Sequence, residues 1–360
     1  MAEQALQRPP AEILHADELA ALAAADTDPR PPGWTLSLRA ARAFVLGDDR
    51  LGATRKIVAP NAAVERMLVT LATGRGLMLV GEPGTAKSLL SELLATAVSG
   101  LSTLTIQGGA SITEDQITYS WNYALLINEG PSPRALVPAP LHTGMTQGKV
   151  VRFEEITRAP VEVQDSLLGM LSDRVMAIPE LDGDQGMLYA RDGFNLIATA
   201  NTRDRGVNEM SAALKRRFDF ETVFPILDFA AELELVASAS TRLLERSGIP
   251  VTVPEPVLEL LVTTFRDLRR GGAAKADADG LSAVMSTAEA VNVAHAVGVR
   301  AWYLDQREGT PADLVDSIVG TVVKDDADDR AKLRRYFEQT VAGRSGEHWR
   351  AYHEARERLP

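Results

Sequence analysis

A helix-flanked parallel β-sheet followed by an all-α region is the fold class this 360-residue chain predicts, and three observations carry it. Short runs rich in β-forming residues, at 77–80, 101–106, 150–153 and 194–198, alternate with helical stretches, which demands parallel crossovers. Those runs are apolar without alternation, as strands buried on both faces must be. After Pro225 no strand signal returns, and amphipathic helical patterns fill residues 228–247 and 255–270. The length exceeds what one compact core usually absorbs, so two packed domains with terminal extensions are expected.

Residues 1–33 read as an extension. Pro9-Pro10 and the run Asp28-Pro29-Arg30-Pro31-Pro32 bracket an alanine-rich segment with Leu14, Leu19 and Leu22 at helical spacing. A peripheral helix or a partly ordered tail is the ordinary use of such a segment; docking of an adaptor is the other. Residues 34–71 are mostly helical in pattern, and the stripe in Val64-Glu65-Arg66-Met67-Leu68-Val69-Thr70-Leu71-Ala72 must pack on something. Residues 107–148 have weak periodicity and many Gly and Pro, and are too long for a structureless loop, so they hold an inserted element. Residues 174–191 look like a hairpin with Asp182-Gly183 and Gln185-Gly186 as turn residues. Residues 271–280 form a Gly/Ala/Asp loop, and more helix follows.

Composition removes several classes of function. With no cysteine there are no disulfides, thiolate metal sites, iron–sulfur clusters or cysteine nucleophiles. Five scattered His argue against a catalytic zinc. A net charge of −11 argues against a surface that clings as a whole to nucleic acid or anionic lipid, while leaving a local basic patch open. No apolar run approaches the roughly 18 residues needed to cross a bilayer, and the N-terminus lacks the basic start of a secretion signal. A soluble, cytoplasmic protein is expected.

The chemistry concentrates at the ends of the β-runs. Directly after residues 77–80 comes Gly81-Glu82-Pro83-Gly84-Thr85-Ala86-Lys87-Ser88, and then a helix. A strand, a glycine-containing turn and a helix start cradle phosphates: backbone N–H groups point inward, Lys87 reaches the terminal phosphates, and Ser88 ligates Mg²⁺. The strict pattern has Gly at the sixth position, where this chain has Ala86. The run at 150–153 ends in Glu154-Glu155, which assigns Glu154 to the Mg²⁺ shell and Glu155 to the attacking water. Glu154 is one methylene longer than the usual Asp. The last run leads into Asn201, an uncharged amide able to hold a γ-phosphate and orient water. Beyond it, Arg216 and Arg217 offer either a guanidinium for a neighbouring subunit's nucleotide site or a basic helix end at its favourable terminus.

Taken in order and at this spacing, GEPGTAKS, VVRFEEITRAP, ATANTRD and ALKRRF resemble the MoxR family of AAA+ ATPases, related to magnesium-chelatase-type ATPases, over roughly residues 59–300. The resemblance implies an AAA+ α/β core at 34–225, with the insert at about 107–148 and the hairpin at about 174–191. A helical lid at 226–300 and a helical extension at 301–360 complete it. It implies a homohexameric ring that uses ATP and Mg²⁺ for chaperone-like remodelling of a protein partner, often with a von Willebrand A-domain adaptor. By the same resemblance Gly81, Glu82, Pro83, Gly84, Thr85, Ala86, Lys87 and Ser88 form the phosphate loop, Glu154 and Glu155 the Walker B acids, and Asn201 the first sensor. Arg217 becomes the favoured finger because it directly precedes Phe218. Ala86 is less of a departure in that family, which has AKS and AKT endings.

One expected part is missing: the lid helix usually opens with an arginine that senses the γ-phosphate, and residues 281–291 contain none. Trp121, Tyr123, Leu125 and Leu126 in the insert are buried anchors or an apolar tip for a client. Arg266, Arg269 and Arg270 form a solvated helix face or a docking patch. Two other functions compete with remodelling: a nucleic-acid motor or GTP-using restriction subunit, and a nucleotide-gated scaffold with little hydrolysis.

Overall fold

The computed structural model describes residues 6–201, 208–273, 285–323 and 328–359. Nine strands form among them: β1 (Gly76–Gly81), β2 (Thr105–Gln107), β3 (Tyr119–Trp121), β4 (Leu136–Pro138), β5 (Val150–Glu154), β6 (Val175–Ala177), β7 (Met187–Tyr189), β8 (Asn195–Asn201) and β9 (Phe218–Thr222). Five of them make one parallel sheet in the order β2-β5-β8-β1-β9. Every residue of β5 is buried, as is all of β8 before Asn201, in keeping with apolar runs enclosed on both faces.

The register sets the site. Gly81 stands opposite Asn201, Phe153 opposite Ala198, and Gln107 opposite Glu154, so the carboxyl ends of β1, β2, β5 and β8 lie side by side. Ligands bind at that edge of such sheets. Strands form at all four expected places, the run at 101–106 only as Thr105–Gln107, and β9 is one more. It begins immediately after the basic run ending in Arg217 and alternates apolar Phe218 and Phe220 with acidic Asp219 and Glu221; the two rings share one face, Phe218 buried and Phe220 49% exposed. That charge masked the strand in the sequence.

The chain divides into two compact units: residues up to 82 with 87–223, and residues 83–86 with those from 224 onward. In the first, the helix Lys87–Ser99 is buried from Leu90 to Ser99. It packs against β5, β8, the helix Leu38–Leu46 and the short helix Ala11–Leu14. Residues 8–26 therefore do more than trail from the core. The Ala11 N–H donates to Glu92 Oε1 at 3.1 Å, and Ser102 Oγ donates to Glu12 Oε2 at 2.7 Å. Leu22 is 1% exposed, and the buried Lys56 ammonium donates to Glu18 Oε1 at 2.5 Å while lying over the Phe44 ring. Burial of this kind needs paired charge.

Residues 107–148 hold the helices Glu114–Ile117, Tyr123–Glu129 and Pro140–Gln147 and the antiparallel pair β3–β4. Residues 174–191 hold the antiparallel pair β6–β7, joined through a 3-10 turn at Gly183–Gly186. Glu180 ties the two together: Tyr119 Oη donates to it at 3.0 Å and Trp121 Nε1 at 3.4 Å. Trp121, Leu125 and Leu126 are half-buried, whereas Tyr123 and Ile127 are 74% and 85% exposed.

In the second unit the helices Phe229–Arg246, Glu255–Ala273, Thr287–Asp305, Pro311–Val322, Asp328–Tyr336 and Glu347–Glu354 enclose one core built on Val236, Leu261, Phe265, Val297, Phe337 and Tyr352. Residues beyond 301 contribute fully to that core. The helix Glu255–Ala273 runs past the expected end at 270, and the remainder of the expected loop at 271–280 lies outside the described residues. Arg266 and Arg269 do not form a free patch. Both pair at 3.1 Å with Glu232, which is 1% exposed, and Thr287 Oγ1 donates to the same carboxylate at 2.8 Å. The side chain of Arg270 is outside the described residues.

Asp313 is fully buried at the start of the helix Pro311–Val322. It accepts from Arg307 Nη1 at 2.5 Å, Thr310 Oγ1 at 2.6 Å and the Thr310 N–H at 2.9 Å. Burial alone would raise its carboxyl, but the Arg307 and Thr310 contacts outweigh burial and hold it down at about 2, from an ordinary 3.8. A carboxyl with a lower pKa folded than unfolded binds protons more readily when unfolded. Its contribution is complete above about pH 4 and is lost as pH falls toward 2, an effect of about 2 kcal/mol. Urea unfolding of the parent should therefore weaken over that window, and Asp313→Asn should flatten the dependence.

Candidate nucleotide site

The turn after β1 carries two residues in the left-handed region, Gly84 (φ 76°) and Ala86 (φ 65°). Glycine adopts this conformation freely; alanine pays about 1 kcal/mol for it. Ala86 thus occupies the glycine position of the strict phosphate-loop pattern at a conformational cost. Ala86→Gly should raise the unfolding free energy by about 1 kcal/mol, or leave it unchanged if the freer unfolded chain offsets the relief. A drop of more than about 1 kcal/mol in denaturant titration would show that the alanine methyl contributes packing.

Lys87 opens the following helix, is 7% exposed, and donates to Gly81 O at 3.1 Å and Glu82 O at 2.7 Å. Its ammonium thus lies over the start of the loop. Ser88, next on the helix, donates from Oγ to Glu154 Oε2 at 2.8 Å. Glu154 ends β5 and is 5% exposed. Burial acts to raise its carboxyl, but the Ser91 hydroxyl, the charge of Arg152 and the hydroxyls of Ser88 and Thr199 together bring it below the ordinary value. The acid is held as a carboxylate.

Glu155 follows in the left-handed region, with φ 54° and ψ 45°. The strand ends there. Glu155 Oε2 lies 3.2 Å from Arg158 Nε and 3.4 Å from Gln107 Nε2. Gly108 is required beside it: a Cβ there would stand 2.1 Å from Glu155 O. Left-handed geometry at a non-glycine residue is costly and concentrates at functional sites.

Four residues that sequence inspection left out complete the arrangement. Thr199, 2% exposed on β8, accepts from the Glu155 N–H at 2.9 Å and donates to Glu154 Oε2 at 2.9 Å, so one hydroxyl links both acids. Ser91 and Arg152 hold the other oxygen of Glu154, and Gln107 reaches Glu155. A legible signal existed for Arg152 alone, as a charge inside an apolar strand.

Asn201 ends β8 opposite Gly81, at the mouth of the loop. Residues 202–207, which include the last three of the ATANTRD stretch, lie outside the described residues. The structure thus gathers Gly81, Glu82, Lys87, Ser88, Glu154, Glu155 and Asn201 at one sheet edge. The arginines stand elsewhere, between the helix Ala212–Lys215 and β9. Arg217 is half-buried and donates from Nε to Ser172 Oγ, whereas Arg216 is exposed with no side-chain partner among the described residues. No arginine opens the helix Thr287–Asp305; Ser286 caps it reciprocally with Glu289.

A parallel sheet of this order, with a phosphate loop after β1 and paired acids closing β5, defines a nucleotide-binding core of the AAA+ class. Family models agree. Residues 76–218 match the AAA domain of the dynein-related subfamily, and residues 230–360 match the YehL-like AAA+ ATPase C-terminal domain. The uncharacterized protein YehL of Escherichia coli (strain K12) is 74% identical over 355 residues, covering 99% of this chain and 98% of that protein. The chain belongs to the YehL family of AAA+ ATPases. The uncharacterized protein YojN of Bacillus subtilis (strain 168) is 26% identical over 152 residues, which is 42% of this chain and 48% of that one. Among solved structures, NtrX from Brucella abortus in complex with ADP aligns with a TM-score of 0.49 at 15% identity, covering 79% of this chain and 62% of that chain. Among the described residues no helix is long and apolar enough to cross a membrane.

Proposed function

We propose that this protein is a cytoplasmic, Mg²⁺-dependent ATPase of MoxR-like habit, working as a homohexameric ring. It couples hydrolysis to remodelling or maturation of a protein partner through a von Willebrand A-domain adaptor. The observation that carries the reading is the convergence of Lys87, Ser88, Glu154, Glu155 and Asn201 at one edge of the sheet.

The donor set fits magnesium. Ser88 Oγ and a Glu154 oxygen lie 2.8 Å apart, both are hard oxygen donors, and no group of three or more His, Asp or Glu able to cage a metal occurs among the described residues. Mg²⁺ prefers this: one or two protein oxygens, with phosphates and waters completing an octahedron. When bound, such an ion neutralises charge on the β- and γ-phosphates. Lys87 draws in the phosphates, Glu155 accepts the proton of the attacking water, and Asn201 orients that water. Arg216 and Arg217 serve the site of an adjoining protomer, with Arg216 the freer of the two in this conformation.

A second reading, a scaffold that binds nucleotide and scarcely turns it over, is favoured by the arginine-free start of the helix Thr287–Asp305 and by the four donors already on Glu154. Steady-state phosphate release from ATP in excess Mg²⁺, with light scattering to follow assembly, separates the two. Turnover with nucleotide-dependent assembly supports the first; tight binding without turnover supports the scaffold. A monomer that hydrolyses as fast at high dilution as when concentrated would refute a shared site.

A further inference from the structure

Arg152 occupies the middle of β5, where a central strand buried on both faces offers a charge no water. It is 8% exposed, and each of its five N–H donors has an acceptor. Nε donates to Ser91 Oγ at 2.9 Å, and Nη1 to Ser102 O at 3.2 Å and Thr105 Oγ1 at 3.4 Å. Nη2 donates to Ser88 O at 2.9 Å and to Glu154 Oε1 at 2.8 Å. One nitrogen therefore touches both residues to which the cation role falls, the backbone of Ser88 and the carboxylate of Glu154. Ser91 Oγ closes the ring at 2.6 Å from Glu154 Oε1.

Building on the ATPase reading of this site, we propose that Arg152 is the positioning residue of its divalent-cation site, fixing Ser88 and Glu154 relative to each other. Glu154 has one more rotatable bond than the aspartate usual there. With Oε1 pinned by Arg152 and Ser91, Oε2 is left aimed at Ser88 Oγ. A planar fork spans carboxylate, hydroxyl and carbonyl together, which a lysine ammonium does not. The Arg152–Glu154 pair also carries no net charge, so the attraction for a divalent cation comes from the nucleotide phosphates, and cation and nucleotide enter together.

The test uses the full chain, Mn²⁺ followed by electron paramagnetic resonance, and the fluorescent nucleotide mant-ADP. Parent protein should bind Mn²⁺ strongly only with mant-ADP present. Arg152→Met should keep mant-ADP affinity in EDTA within about threefold, yet weaken Mn²⁺ binding to the nucleotide-loaded protein by about tenfold or more. Arg152→Lys should recover part of that loss. Unchanged Mn²⁺ affinity in folded Arg152→Met, or an equal loss of mant-ADP affinity in EDTA, overturns the assignment. Should circular dichroism show Arg152→Met unfolded, Ser91→Ala decides, with an expected loss of about threefold in Mn²⁺ affinity and no change overturning the role. A parent that binds no nucleotide refutes the ATPase reading itself, which is a different result from a parent that binds while its variants match it.

Discussion

Lys87→Ala will bind nucleotide at least about a hundredfold more weakly than the parent, because a charge-assisted contact to phosphate is worth about 3 kcal/mol. In the free protein Lys87 donates to Gly81 O at 3.1 Å and to Glu82 O at 2.7 Å. Both carbonyls lie at the start of the loop, so the ammonium is already placed over the path of a phosphate chain. Titration of mant-ADP in the presence of Mg²⁺ reads the effect. Comparable affinities would mean that the loop after β1 is not where nucleotide sits. Melting temperatures should be compared in the same samples, since a folded variant with lost binding isolates the ammonium from the loop's shape.

Glu155→Gln should do the opposite: bind ATP within about threefold of the parent and lose turnover by about a hundredfold or more, the range for a missing general base. The amide keeps the size of the side chain and its contact with Gln107, and gives up only the charge that Arg158 faces. Phosphate release under single-turnover conditions is the measurement, and parent-like release would move the proton-accepting role elsewhere. The same variant serves a second purpose. Mixed with a chain carrying Arg216→Ala and Arg217→Ala, it should recover part of the activity, since some interfaces then pair an intact acid with intact arginines. Absence of recovery at every mixing ratio would place the arginines outside a shared site.

How much of this was legible beforehand depends on the kind of signal. The three interior strands β1, β5 and β8 were readable because burial on both faces leaves a largely apolar run, as in Leu77, Met78 and Leu79. β9 was not, because an edge strand tolerates alternation and follows directly on Arg216 and Arg217. The phosphate loop, Glu154, Glu155 and Asn201 were readable as residues at the ends of those runs. Their supporting hydroxyls were not: Ser91 and Thr199 look like any small polar residue in a helix or strand, and only the register brings Thr199 between the two acids. Gly108 was equally silent, since the need for it comes from the carbonyl of Glu155 across the sheet edge. Likewise, Arg266 and Arg269 look like a solvated helix face until Glu232, on a different helix, is seen to be buried against them.

The clasp of residues 8–26 on the helix Lys87–Ser99 bears on any attempt to produce a minimal core. Glu92, which receives the Ala11 N–H, sits one turn from Ser88 on a helix whose buried surface those early residues help to cover. Trimming the polypeptide to the first apparent strand would strip that cover from the element that presents Lys87. A shortened version that fails to bind nucleotide would then report a damaged helix, not an absent ligand.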